Sequence, residues 1–142
     1  DIKSSNVLLD RNIRAKIANF GLAKSAEEGF YLTRHVNGTK GYMAPEYLAD
    51  GLVTPKLDIF SFGVVMLELL SGKPAVLRRD GDVMLWTTIE SVVEGSNPKE
   101  KLKGFMDLGL QDDYPLEIAF AMARLTRRCV HEDLNSRPTI SE

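Results

Sequence analysis

The chain has 142 residues, of which 27% are charged and 44% hydrophobic, an ordinary mix for one soluble globular unit with a core of real size. Eighteen lysines and arginines stand against 20 acidic residues, a net charge of −2, so no electrostatic argument points to nucleic acid or an anionic membrane. A lone cysteine, Cys129, excludes an internal disulfide framework and fits a reducing compartment, where it reads as a small buried apolar side chain.

In chain order, NVLLD and RAKIA are aliphatic runs separated by the turn-prone DRN, which predicts a β-hairpin over residues 6–18. From there to about residue 53 no clean period appears, and glycines at 21, 29, 38 and 41 with Pro45 predict a long loop. Long loops within compact domains are usually functional, which makes this segment a site candidate.

Thr54 and Pro55 read as N-cap and first helical residue of a helix over 54–71, with Gly72 as its stop. Its apolar residues fall on every face, so it is expected at the centre of the fold, wrapped by other elements. Asp82 is expected to cap a second helix over 83–94, SNPKEKLKG to be a polar linker, and a third helix to span 116–131 with apolar positions 118, 122, 125 and 129. Thr139 and Glu142 form a capping-box pattern at the start of a further helix. With Asp1 in place of a methionine, the chain reads as a fragment. No run of 18 apolar residues and no signal-peptide pattern occurs in it, so any membrane attachment is expected through a segment outside it.

The motifs carry more than the elements do. D-x-K-x-x-N in DIKSSN is weak alone, but it is followed in order by NFG, GTKGYMAPEY, DIFSFGVV and NSRPT. Together these blocks resemble the C-terminal lobe of a eukaryotic protein kinase, a family with a known template for phosphoryl transfer. The implied fold is protein-kinase-like: a mainly α C-terminal lobe over residues 1–142 with a small β-hairpin at the catalytic cleft, a catalytic loop at 1–9, an activation segment at 19–46 and the central helix at 54–71.

By that resemblance Asp1 accepts the proton of the substrate hydroxyl, and Lys3 is the lysine that serine/threonine kinases place near the transferring phosphate. Asn6 matches a ligand of the second magnesium ion, and Glu46 of the Ala-Pro-Glu closing the activation segment is expected to pair with Arg137. Asp58 matches a residue that holds the catalytic-loop backbone. Thr39 matches the activation-segment threonine that meets Asp1 and Lys3, and Thr33, beside Arg34 and His35 in a mobile stretch, is the expected phosphate acceptor, with an inert solvated threonine as the alternative.

Position 19 departs from the pattern. Where the family has an aspartate that holds the magnesium bridging two nucleotide phosphates, this chain has Asn19, followed by the retained Phe20 and Gly21 that should keep the turn and its hydrophobic anchor. Magnesium prefers charged oxygen ligands, and an amide offers one neutral carbonyl oxygen. The resemblance therefore implies a pseudokinase or badly impaired kinase, with an amide that still holds enough metal as the alternative.

The stretch from GTKGYMAPEY to LLSGKPA is similar to plant receptor-like kinases, and with NFG most similar to the LysM-type group that acts as chitin co-receptors. That similarity implies ATP and magnesium as cofactors of an intact domain, an active receptor-like kinase and cytosolic signalling proteins as partners, and a place on the cytoplasmic side of the plasma membrane. The glycine-rich nucleotide loop and its lysine and glutamate partners are absent from these 142 residues, so the chain alone is expected to transfer no phosphate and to expose an apolar face of its central helix.

Overall fold

The computed structural model describes residues 1–25 and 29–142; residues 26–28 of the expected activation segment lie outside the described part. The hairpin pairs β1 (Val7–Leu9) with β2 (Ala15–Ile17), Val7 opposite Ile17. Asp10 builds its turn: one carboxylate oxygen accepts from the amides of Asn12 and Arg14, and the other from the Arg14 guanidinium. Those bonds hold the Asp10 carboxyl below its usual range.

The expected long loop is partly ordered. Tyr31–Leu32 (β3) pairs antiparallel with Leu52–Val53 (β4), and between them lies α1 (Pro45–Asp50), opened by Pro45 and closed by Gly51 in the left-handed conformation. Strands of two residues are too short to show a period of two, which is why the sequence pattern missed them. Gly51 has no substitute here: a Cβ on it would lie 2.0 Å from the carbonyl oxygen of Thr33.

The central helix is α2 (Lys56–Ser71), with the Thr54 hydroxyl accepting from the Lys56 amide at its start and Gly72 turning left-handed at its end. Phe60, Val64 and Leu67 are fully enclosed and anchor the core. The wrapping is incomplete along one line, where Phe62 is 50% and Leu69 68% exposed. They lie seven residues apart, two turns along the same face.

After α2 the structure departs from the sequence reading. Residues 81–84 are not helical: β5 (Val76–Arg79) and β6 (Gly81–Met84) form a hairpin about Asp80-Gly81, a pair of turn-forming residues. Asp82 therefore caps nothing and stands opposite Arg78. A 3₁₀ turn at Leu85–Thr88 leads into a shorter helix, α3 (Ile89–Val93), instead of one helix over 83–94.

The expected linker is also a helix, α4 (Pro98–Phe105), started by Pro98 and seated by Leu102 and Phe105, whose spacing is masked by the lysines around them. In α5 (Leu116–Cys129) the face that meets α2 is Ala119, Ala123, Thr126 and Cys129; Ile118 and Met122 of the expected stripe remain outside. Small side chains let the two helices approach closely. A Cβ on Gly63 of α2 would lie 2.7 Å from both the Cβ of Cys129 and a methyl of Val130. Burial there pushes the Cys129 thiol up from its ordinary value, which keeps it protonated and unreactive.

At the end of the chain the Glu142 carboxylate accepts from the Thr139 amide and hydroxyl, the reciprocal half of a capping box, although residues 139–142 form only a turn.

Candidate functional site

Asp1, Lys3 and Thr39 converge although Thr39 lies far along the chain. The Lys3 ammonium is 3.0 Å from one Asp1 carboxylate oxygen and donates to the Thr39 hydroxyl at 2.8 Å. That hydroxyl donates in turn to the other Asp1 oxygen at 2.9 Å. Both charged side chains are mostly enclosed, so the ring is a closed, charge-assisted set. An aspartate already gripping an alcohol hydroxyl is chemically suited to accept a proton from one.

Two elements fix this set. A 3₁₀ turn at Ser4–Asn6 carries the loop from Lys3 into β1, and the buried Asn6 holds the loop back on itself, its side-chain NH₂ donating to the Asp1 carbonyl at 2.8 Å. That bond leaves the Asn6 amide oxygen as the end able to bind a cation. On the other side, Tyr42 donates its backbone N–H to the Thr39 carbonyl, and Ser61 of α2 donates to the Tyr42 carbonyl.

Asn19 follows β2 in the left-handed conformation, φ 63° and ψ 65°, a geometry Asn tolerates better than most residues, and opens the 3₁₀ turn Phe20–Leu22. It is exposed and lines, with Asp1, Thr39 and Asp58, a cleft of about 490 Å³. Its side chain makes no hydrogen bond among the described residues. Phe20 keeps the turn but is 69% exposed, so the expected hydrophobic anchor is not buried among the described residues. Among the described residues no group of three or more His, Cys, Asp or Glu side chains is placed to hold a metal ion.

Thr33 is tied down more than the sequence suggested. Its amide donates to the Gly51 carbonyl at 2.9 Å, and its hydroxyl closes a turn with the backbone of His35, so the stretch is pinned to the end of α1. Thr33 and Asp1 both line the cleft. Asp58 is exposed on the first turn of α2, and its side chain makes no hydrogen bond among the described residues, so the expected hold on the catalytic-loop backbone is not made.

Glu46 and Arg137 meet across the fold through two parallel bonds of 2.6 and 2.8 Å. Arg137 has a fully buried side chain whose plane also lies over the Phe60 ring, 4.9 Å from its centre.

The geometry and the order of motifs now meet the comparisons. The family described as protein kinase domain matches residues 1–142. The chain belongs to the protein kinase family. Its relatives include Protein LYK5 of Arabidopsis thaliana, 52% identical over all of this chain and 23% of that protein. LysM domain receptor-like kinase 10 of Oryza sativa subsp. japonica is 46% identical over 99% of this chain and 24% of its own length. Chitin elicitor receptor kinase 1 of Physcomitrium patens is 42% identical over 99% and 24%. This kinase chain thus spans about a quarter of the length of these relatives and is part of a receptor-like kinase domain related to the LysM receptor kinases. Its fold is the helical kinase lobe, and the family uses ATP and magnesium in intact domains.

Sequence reasoning missed three residues that build the site: Tyr42, and Ser4 and Glu68, whose side chains hydrogen-bond the Tyr42 hydroxyl at 3.1 and 2.7 Å. Tyr42 carried a usable signal, since a phenol in an otherwise apolar run has to find a partner once it is buried.

Proposed function

We propose that the intact protein is a catalytically impaired serine/threonine-type receptor-like kinase, a pseudokinase that signals as a co-receptor through an active partner kinase. The observation that carries this reading is Asn19, a neutral amide at the turn where the family places its metal-binding carboxylate, in a cleft whose Asp1, Lys3 and Thr39 are otherwise assembled.

The donor set does not fit a firmly held magnesium ion. Asn6 and Asn19 offer one neutral oxygen each, whereas a hard dication favours charged oxygens. A bound metal stabilises the transition state for phosphoryl transfer by several kcal/mol, and losing ~3 kcal/mol of that slows transfer on the order of a hundredfold. The catalytic loop and activation segment then serve as a folded docking surface. Partners are an active receptor-like kinase and cytosolic signalling proteins, on the cytoplasmic side of the plasma membrane; no helix of the described residues is long and apolar enough to cross a membrane. The likeness to a relative named for chitin elicitors favours a chitin-type signal received by an outer domain.

A second reading has its own support. The closed Asp1–Lys3–Thr39 ring supports a working serine/threonine kinase, in which Asn6 with Asn19 would hold enough magnesium for ATP-dependent transfer.

The co-receptor role is tested by replacing the native receptor with Asp1→Asn in plants that carry the active partner. Signalling retained with Asp1→Asn agrees with a scaffold; signalling abolished by that single exchange requires catalysis and removes the proposal.

A further inference from the structure

Asn37 is the only asparagine of the chain that is followed by glycine, and it stands just before Thr39, whose hydroxyl bonds Asp1. Asn37 and Gly38 are both exposed. The Gly38 amide donates to no acceptor among the described residues, and the Asn37 side-chain NH₂ makes one long bond, 3.5 Å to the His35 carbonyl. Gly38 has φ 152°, and a Cβ on it would lie 3.1 Å from the Met43 side chain, so this place accepts glycine and leaves its amide nitrogen unshielded. Asp50–Gly51 makes the contrast: there the glycine amide is bonded to the Glu46 and Tyr47 carbonyls.

A free amide nitrogen beside an unhindered side-chain carbonyl is a reacting pair. The Gly38 nitrogen attacks Asn37 Cγ, the new C–N bond closes a cyclic imide, the Cγ–Nδ2 bond breaks, and Nδ2 leaves as ammonia with the proton that Gly38 gave up. Water then adds to either imide carbonyl. Opening at Cγ leaves aspartate at position 37, whereas opening at the former main-chain carbonyl carries the chain through the side chain and lengthens it by a methylene. The step consumes water and releases ammonia, and it needs no oxidant, metal or enzyme.

Tyr47 opposes the attack. Its hydroxyl accepts from the Asn37 amide at 2.8 Å and donates to the Asn37 carbonyl at 3.0 Å, so one phenol holds both backbone groups of the residue that has to rotate. We infer that Asn37–Gly38 is a site of spontaneous deamidation and that the Tyr47 hydroxyl is the brake on its rate. The product places a carboxylate in a stretch that carries Arg34 and His35, and its lengthened form loosens the run between the residue held by Tyr47 and the Thr39 held by Asp1. None of this depends on whether the intact domain transfers phosphate.

The complete kinase domain is aged in mildly alkaline buffer, and peptide mass spectrometry follows the exchange of NH₂ for OH at residue 37, with Asn135, which precedes serine, as control. Native protein is compared with Tyr47→Phe, with Asn37→Gln and with a free peptide of residues 33–43. The expected result is conversion at Asn37 ahead of every other asparagine, slower than in the peptide, and about fivefold faster in Tyr47→Phe, the size of one lost hydrogen bond, with Asn135 unchanged. Backbone hydrogen exchange at residues 38–41 should be faster in aged native protein and unchanged in Asn37→Gln, whose longer side chain closes an imide slowly. An Asn37 that stays intact while the peptide converts overturns the site, and equal rates in native protein and Tyr47→Phe overturn the brake. Where Asn135 also speeds up in Tyr47→Phe, that variant has lost its fold, and the brake is then decided by native protein against peptide, equal rates overturning it. Unchanged exchange at 38–41 in converted protein overturns the effect on the Thr39 segment.

Discussion

Arg137 spends every N–H of its guanidinium, and Glu46 takes two of them. NH1 and NH2 donate to the two Glu46 oxygens, NH1 also to the Lys56 carbonyl, NH2 to the Glu132 carbonyl and Nε to the His131 carbonyl. One buried cation thereby joins α1, the start of α2 and the segment after α5.

Replacing Arg137 by alanine leaves the Glu46 carboxylate and three carbonyls without their donor. The cost should be about 3–5 kcal/mol, as for other broken buried pairs. Arg137→Lys should recover little of it, since an ammonium cannot reproduce the planar fork. Urea unfolding of the kinase domain checks both, and a loss below about 1 kcal/mol in Arg137→Ala would mean that water replaces the bonds.

Ile13 lies in the β1–β2 turn with φ 60°, a left-handed conformation that is strained for a β-branched residue, and its side chain is 80% exposed. Asparagine tolerates that conformation. Ile13→Asn should therefore stabilise the domain by about 0.5–1 kcal/mol, seen as a higher urea midpoint. A lower midpoint would show that Ile13 gains more from packing in the complete domain than it loses in backbone strain.

The Tyr42 phenol is pushed above its ordinary value of about 10, first by burial and further by the Glu68 carboxylate. A raised folded value means that the unfolded chain loses its phenolic proton first. The stabilising effect of the protonated phenol is complete below about pH 10 and is lost as pH climbs through the raised value. Stability should fall more steeply as pH rises above about 10 in the native domain than in Tyr42→Phe. Parallel curves for the two proteins would contradict this.

The legibility of the fold varied with the length of each signal. The central helix announced itself through Thr54, Gly72 and a run of apolar residues, and the hairpin through Asp10 between two aliphatic runs. The strand pair at Tyr31–Leu32 and Leu52–Val53 is too short for any period. Asp82 looked like a helix cap because nothing local distinguishes a cap from a hairpin residue; its carboxylate instead bonds Lys40 at 2.6 Å, a partner 42 residues away. In α5 the large residues at 118 and 122 were mistaken for the buried stripe, while the contact with α2 runs along Ala119 and Ala123, where small size is what packing requires.

The site was legible in kind but not in wiring. Asp1, Lys3, Asn6 and Thr39 were all marked by motif order, and the structure brings Asp1, Lys3 and Thr39 into direct contact. The roles of Ser4, Tyr42 and Glu68 depend on contacts across 26 to 38 residues that no local pattern encodes.

The charge missing at Asn19 is the centre of the functional reading, and phosphate transfer measures it most directly. The complete intracellular domain is assayed with ATP and magnesium or manganese as native protein, Asn19→Asp and Asn19→Asp with Asp1→Asn. A silent or roughly hundredfold slower native protein, activity gained in Asn19→Asp and activity lost again in the double variant is the predicted pattern. Native protein that already transfers phosphate in an Asp1-dependent way, with no gain from Asn19→Asp, would contradict it and make the chain part of a working kinase.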